Sequence, residues 1–429
     1  MDRIAYSSHN FLPGDTLPMN RQRMDVTIVG GGMVGMAQAA LLAVRCPQLR
    51  ISLLEASSVE QPVRPDAYDA RVVALTEASR NLLEETGAWQ RIEGERECPY
   101  TQMRVWDAEG TGSVYFDCRD VKLPNLGHIV ENNVILAALR ARIEELPNVS
   151  METGFKLESW WRDCGLWHLQ ARSPNREMID GLDEQSPVYT TRLLVGADGA
   201  RSRVRDLLRI RTRDVDYRQT ALVCVARCEQ SHQYTAWQRF LDTGPVAMLP
   251  LAGLGDDKHC AVVWSADDDL ARELVMLDDK AFALNLEKAI ESRLGSIESV
   301  SERFSFALRA RHAESYFGPG AALIGDAAHS IHPLAGQGAN LGLMDAQVLT
   351  EEVERALKRG ISPAHVSVLS RYQRRRRGEN ASTLKAMSAF KSLFGAGDLQ
   401  WRWLRNTGLS MVDASPMLKK RIIMRAMSV

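Results

Sequence analysis

The tightest constraint on this chain lies near its start. The stretch "DVTIVGGGMVGMAQAALLAV" opens with a β-type run at residues 26–29. It then passes through Gly30-x-Gly32-x-x-Gly35 and continues as an apolar, alanine-rich helix. A second strand, "RISLLEA", ends at Glu55, 20 residues after Gly35. Three spaced glycines between strands, with an acid at that distance, form the βαβ frame of a dinucleotide site. Gly30 makes the tight turn, Gly32 lets the backbone approach a pyrophosphate, and Gly35 lets the helix pack on the strand. The helix N-terminus then faces the phosphates. Glu55 would bond ribose hydroxyls and repel a 2′-phosphate, so the frame fits FAD or NAD better than NADP.

With 429 residues the chain is long enough for two or three domains. Its 45% hydrophobic and 25% charged residues are ordinary for a globular protein. No apolar run reaches the roughly 18 residues of a membrane span. The start carries Asp2 and Asp15 and does not read as a secretory signal, so residues 1–23 read as an N-terminal extension. Seven scattered cysteines without a CxxC pair point to reduced, mostly buried thiols and no metal site. The net charge of -1 hides an asymmetry: residues 361–429 hold 13 Lys and Arg against 3 acids. A basic tail on an acidic body points to an anionic partner. Nucleic acid is not expected, because the body is acidic and shows no such module.

Two later stretches complete a pattern. In "TRLLVGADGARSRVRDLL" Asp198 sits in a Gly-Asp-Gly turn between a strand and a basic helix start; alone, this reads as a capped turn. In "ALIGDAAHSIHPLAGQGANLG" a buried strand ends at Gly325 and Asp326, the strand edge at which open α/β sheets bind ligands. Asp326 could bond the ribityl hydroxyls of a flavin. The helix beginning near Gln337 and Gly338 offers free backbone N–H groups to the negative charge of a reduced flavin's pyrimidine side. His329 and His332 read either as caps and packed polar groups or as an acid/base pair.

In this order, GxGxxG with Glu, GADG with RSxVR, and GDAAHxxHPxxGQGxNxG resemble the group A flavoprotein aromatic hydroxylases over residues 25–349. "DARVVALTEASRNLLEETGAW", "LGHIVENNVI", "DTGPVAMLPL" and "RYQRRRRGEN" are similar to the ubiquinone-biosynthesis branch of that family. So is the tail "WLRNTGLSMVDASPMLKKRIIMRAM". One departure is Gln238 in "WQRF", where many branch members carry Glu. The Trp-Gln pair is similar to members acting on the late demethoxy intermediate. "CAVVWS" and "ALNLEKAIESRLG" look equally like the polyprenylphenol hydroxylases.

The resemblance implies an α/β fold like that of p-hydroxybenzoate hydroxylase. An FAD-binding Rossmann domain (24–97, 126–205 and 312–360) is interwoven with an antiparallel-sheet substrate domain (98–125 and 206–311). A helical basic segment (361–429) follows. The cofactor is then FAD, with NAD(P)H as a transient reductant that needs no Rossmann domain of its own. Oxygen from O2 passes through a flavin hydroperoxide to a polyprenylated phenol or benzoquinol, at the demethoxyubiquinol step or at an earlier polyprenylphenol step. Cofactor-binding residues are Gly30, Gly32, Gly35, Glu55, Arg71, Asn132, Asp198, Gly325, Asp326, Gly336, Gln337 and Gly338. Pro333, Leu334 and Gly338 form the flavin-ring environment, with no obligatory acid or base. Arg71 and Asn132 are carried over from the resemblance; otherwise they read as a surface ion pair and a helix cap. Residues 212–311 alternate like an antiparallel sheet covering the flavin, with Arg239 and Phe240 either lining its pocket or serving as ordinary strand residues.

The tail mixes cations with Trp401, Trp403, Met and Leu. It reads either as a membrane-surface element or as helices packed on the FAD domain with a solvated basic face. The expected setting is cytoplasmic, peripheral to the inner membrane, with a multiprotein biosynthetic complex as partner. Rival readings are an FAD-dependent prenyl-chain reductase and a non-catalytic flavoprotein scaffold. A flavin halogenase is rejected, since "WRWLRN" lacks the Ile-Pro of that class and lies near the C-terminus.

Overall fold

The protein is described from a computed structural model covering residues 21–58, 62–108, 112–172, 188–330, 337–394 and 412–427. The first sheet has eight strands, with a run of parallel neighbours at its centre. Arg21–Val29 lies between Ile51–Glu55 and Val188–Gly196, parallel to both. Val149–Thr153 and Ala321–Leu323 extend the parallel run on either side. The first strand starts before the apolar run because Val188–Thr191 gives Arg21–Met24 backbone partners. Inward residues such as Val26, Ile28, Leu53, Leu193 and Val195 are fully or almost fully buried, as expected of strands covered on both faces.

The helix Met33–Arg45 returns the chain across this sheet and is buried along nearly its whole length, which its alanines permit. The helix Gln337–Lys358 packs against it, and Val366–Phe394 packs in turn on Gln337–Lys358. Tyr316 and Tyr372, both fully buried, fill the space beneath.

A second sheet of nine strands is almost wholly antiparallel, built around the long strand Thr212–Cys228. Its far end takes up Gln102–Asp107 and Ser113–Asp117 from the front of the chain, Gln102–Asp107 running parallel to Thr235–Leu241. Alternation along Gly244–Pro250 is complete, buried residues facing the helices Asp268–Met276 and Asp279–Ala289. A small sheet of Val72–Leu75, Gly127–Glu131 and Glu97–Tyr100 sits between the two large ones. Glu97–Tyr100 straddles the 97/98 division drawn from sequence.

Candidate functional site

The two halves of the nucleotide motif, about 300 residues apart in sequence, meet at Val34. A Cβ on Gly342 would lie 2.6 Å from a Val34 methyl, and one on Gly325 would lie 3.3 Å from it. The Gly-Asp-Gly turn closes the same junction: Ala197 N–H donates to the Val29 carbonyl at 2.8 Å. Gly30 adopts φ +111°, and a side chain there would meet the Ala197 carbonyl at 2.3 Å. Gly35 is needed for close packing, since its Cβ would fall 1.9 Å from the Gly30 carbonyl.

Gly32 is different. It caps the helix with its backbone in an extended conformation, no side chain among the described residues caps the first N–H groups, and the first turn carries no acid. A Cβ built there meets nothing within 4 Å. This cradle of open space before unpaired donors suits a pyrophosphate. Glu55 stands beside it, accepting from Gly31 N–H at 2.5 Å and Ser57 N–H at 2.7 Å. The residues present therefore fit the FAD group that the motif implies.

Asp198 was grouped with the cofactor residues from sequence, but its carboxylate is taken up within its own turn. It accepts from Ser202 Oγ at 2.5 Å, Arg203 N–H at 2.7 Å and Val204 N–H at 3.1 Å, capping the short helix Arg203–Leu207. Burial nonetheless pushes its carboxyl pKa up. Arg205 on that helix reaches back to the Ala327 carbonyl at 3.1 Å, joining this turn to the segment that holds Asp326.

Asp326 follows Ala321–Leu323, and its side chain is exposed although its neighbours Gly325 and Ala327 are buried. The surrounding protein raises its carboxyl pKa by desolvation, His329 opposing and Asp345 adding to the rise. His329 is buried and held by Asp345 at 2.5 Å, which favours the packed-polar reading over a free acid/base. Gln337 and Gly338 begin the helix Gln337–Lys358. His332, Pro333, Leu334 and Gly336 lie outside the described residues, as do Trp401 and Trp403.

Arg71 and Asn132 come together: Asn132 N–H donates to the Arg71 carbonyl at 2.9 Å. Arg71 also pairs with Asp69 at 3.0 Å, while Asn132 starts the helix Asn132–Glu144. Both are held by a buried clamp that the sequence did not reveal. Arg96 grips Glu131 with two hydrogen bonds of 2.7 and 2.8 Å and binds the Arg64 and Ala67 carbonyls. Glu131 also accepts from Asp69 N–H at 2.5 Å, which fixes the loop leading to Arg71. Asn340, quoted within the third motif but not singled out, binds Thr76 N–H at 3.0 Å and the Ala74 carbonyl at 2.8 Å.

Arg71 also lines a cavity of about 320 Å³ between the small sheet and the nine-stranded sheet. Its wall is mostly aliphatic and aromatic, including Val72, Ile129, Val223, Leu249, Phe306 and Leu308, with Gln238 and Ser265 as polar points. Gln238 faces the cavity, whereas Arg239 turns to the other side of its strand. There it binds the Ala289 carbonyl at 2.9 Å and pairs with Glu291. Phe240 is buried but is not part of the wall, so both read as ordinary strand residues.

The arginine run of the tail is also less free than its sequence implies. Arg371 and Arg375 pair with buried Glu352, and Arg376 is itself buried on Asp345.

The fold and cradle define an FAD-binding protein with an apolar cavity between its small sheet and its nine-stranded sheet. Residues 23–385 match the FAD binding domain family, and the chain belongs to it as an FAD-dependent monooxygenase. It is 33% identical to the 3-demethoxyubiquinol 3-hydroxylase of Escherichia coli (strain K12), over 95% of this chain and 100% of that protein. Identity is also 33% to the mitochondrial ubiquinone biosynthesis monooxygenase COQ6 of Danio rerio, over 95% of this chain and 90% of that one. Among solved structures, the p-nitrophenol 4-monooxygenase PnpA of Pseudomonas putida DLL-E4 superposes with TM-score 0.74. It is 19% identical and covers 95% of this chain and 98% of its own, a likeness of fold alone.

Proposed function

We propose that this chain hydroxylates the ring of a polyprenylated phenol or benzoquinol in ubiquinone biosynthesis, most directly at the demethoxyubiquinol step. The observation that carries this reading is the apolar cavity with Arg71 in its wall. A hydroxylated aromatic ring fills such a space while Gln238 and Ser265 offer it hydrogen bonds. FAD, once reduced by NAD(P)H, supplies the oxygen chemistry: one oxygen atom of O2 enters the ring and the other leaves as water. Gly30, Gly32 and Gly35 shape the diphosphate cradle, and Glu55 would hold the ribose. Gly325, Asp326, Gly338, Arg71 and Asn132 would hold the rest of the cofactor. The two sheets exclude water from the ring pocket. The division into FAD-binding segments 24–97, 126–205 and 312–360 and substrate segments 98–125 and 206–311 belongs to the same reading.

Names of full-length relatives support the pathway, and Gln238 in the cavity wall supports the late step. The polyprenylphenol step is the second reading, favoured by the stretches noted above. Purified enzyme with NAD(P)H, ¹⁸O₂ and a short-chain demethoxyubiquinol tests the first. Product carrying one ¹⁸O is expected; reductant consumption yielding only peroxide would refute it, and labelling of a prenylphenol instead would select the second.

Among the described residues no helix is long and apolar enough to cross a membrane. We read the C-terminal helix Pro416–Met427 as a surface anchor in the cytoplasm, beside a membrane or a membrane-bound complex. Ile423 packs on Cys118, Val121 and Leu126, while Met417 is 82% exposed and Leu418, Ile422 and Met424 are exposed near Lys420 and Arg421. Exposed apolar residues interspersed with cations fit an anionic lipid surface.

A further inference from the structure

Asp345 joins two parts of the molecule that the sequence keeps separate. It lies on the helix Gln337–Lys358 and is fully buried. One carboxylate oxygen accepts from Gly325 N–H at 3.0 Å and from His329 Nε2 at 2.5 Å. The other accepts from Arg376 Nε at 2.7 Å and Asn380 Nδ2 at 3.1 Å, both on the helix Val366–Phe394. Arg376 also binds the Leu341 carbonyl and Asn380 Oδ1, which fixes its guanidinium. Asn380 continues to Tyr316, and Tyr372 donates to the Leu323 carbonyl at 2.7 Å. The strand and turn carrying Gly325 and Asp326 are thus tied to the far helix at several points, with one carboxylate at the centre. Its four partners are all donors, so the ionised form satisfies every one of them.

We infer that Asp345 is a positioning residue for the flavin: with Arg376 and Asn380 it fixes residues 325–329, making the helix Val366–Phe394 part of the cofactor site. This rests on the reading that FAD lies along Gly325 and Asp326. The short strand His329–Ser330 pairs with Arg311 and His312 at the far end of this segment, but the turn at Gly325, with φ +57°, lies outside that pairing. The buried carboxylate supplies the hold. His329 Nδ1, buried and without a hydrogen-bond partner among the described residues, lies on the same segment.

The test measures FAD dissociation constants and flavin absorption spectra of full-length variants. Asp345→Asn is expected to weaken FAD binding about 10-fold, the scale of one charge-assisted hydrogen bond, and to shift the flavin spectrum. Arg376→Lys, which keeps the charge but loses the fork, is expected to act in the same direction, and the double variant to be less than additive. Glu352→Gln is the control, because it disturbs a buried ion cluster between the same two helices without touching residues 325–329. Its FAD affinity is expected to stay within about twofold, on the scale of a change that leaves a site untouched. If Asp345→Asn does not fold, Arg376→Lys carries the test. Wild-type affinity and spectrum in folded Asp345→Asn and Arg376→Lys would overturn the inference. Equal weakening by Glu352→Gln would also overturn it, since it would reduce the cluster to general helix docking. Absence of FAD binding by the wild type would instead refute the cofactor placement itself.

Discussion

Gly32 and Gly35 stand three residues apart yet answer to different neighbours. Gly35 is required by the protein: a methyl would strike the Gly30 carbonyl, so Gly35→Ala should cost about 3 kcal/mol and separate helix from strand. Gly32 is required by what the cradle receives. Its φ of -74° suits any residue and its Cβ would meet open space. Gly32→Ala is therefore expected to keep apoprotein stability within about 1 kcal/mol. Its FAD affinity should fall at least about 10-fold, a loss of roughly 1.4 kcal/mol. Calorimetry of the apoprotein beside FAD titration checks both, and a stable variant with unchanged affinity would place the diphosphate elsewhere. These glycines, with Glu55, were legible because spacing alone encodes a backbone shape.

His312 was not legible, since its partners lie elsewhere in the fold. Burial first, then His329, Arg377 and Arg213, push its pKa down to about 4. Neutral His312 accepts the Tyr316 hydroxyl through Nε2 at 2.9 Å. With a folded pKa below the unfolded one, its stabilising effect is present above about pH 6.5 and is lost as pH falls toward 4. Urea midpoints at pH 7 and pH 4.5 should therefore converge in His312→Gln relative to wild type; equal acid sensitivity would count against this.

At the scale of elements, the Arg96–Glu131 clamp decides how the loop before Arg71 sits. Burial raises the Glu131 carboxyl, and Arg96 offsets the rise. Arg96→Met leaves that carboxylate uncompensated and should cost about 3–5 kcal/mol, part of which Arg96→Met with Glu131→Leu should restore. Denaturant melts of the single and double variants distinguish this from a surface pair, for which the single loss would be below about 1 kcal/mol. The strands and their alternation were readable from sequence, whereas this clamp was not. Its two residues lie 35 positions apart and have no periodic signature. The run at Arg374–Arg377 does not show by itself which arginine turns inward. Helical geometry points each a different way and buries Arg376. The helix Pro416–Met427 makes a separate prediction. Met417→Glu with Ile422→Glu should abolish co-sedimentation with vesicles rich in anionic lipid, while FAD binding persists. Retained binding of the double variant to those vesicles would remove this helix as the anchor.

For the whole molecule, sheet order explains why the chemistry-bearing motifs are scattered. Crossovers bring residues 30–35, 196–198, Gly325 and Gly342 to one end of the parallel sheet, and a second sheet grows from segments on both sides of them. Motif order made this plan readable, but the cavity wall was not, because its residues come from nine different strands and a loop, and contribute mainly their shape. The most direct test of the central claim is the quinone profile, by mass spectrometry, of aerobically grown cells that lack this protein and any redundant hydroxylase. Accumulated demethoxyubiquinone with depleted ubiquinone is the expected result, restored by the wild-type chain but not by Gly32→Ala. Accumulated polyprenylphenol would move the chain to the earlier hydroxylation, and an unchanged ubiquinone pool would contradict the assignment.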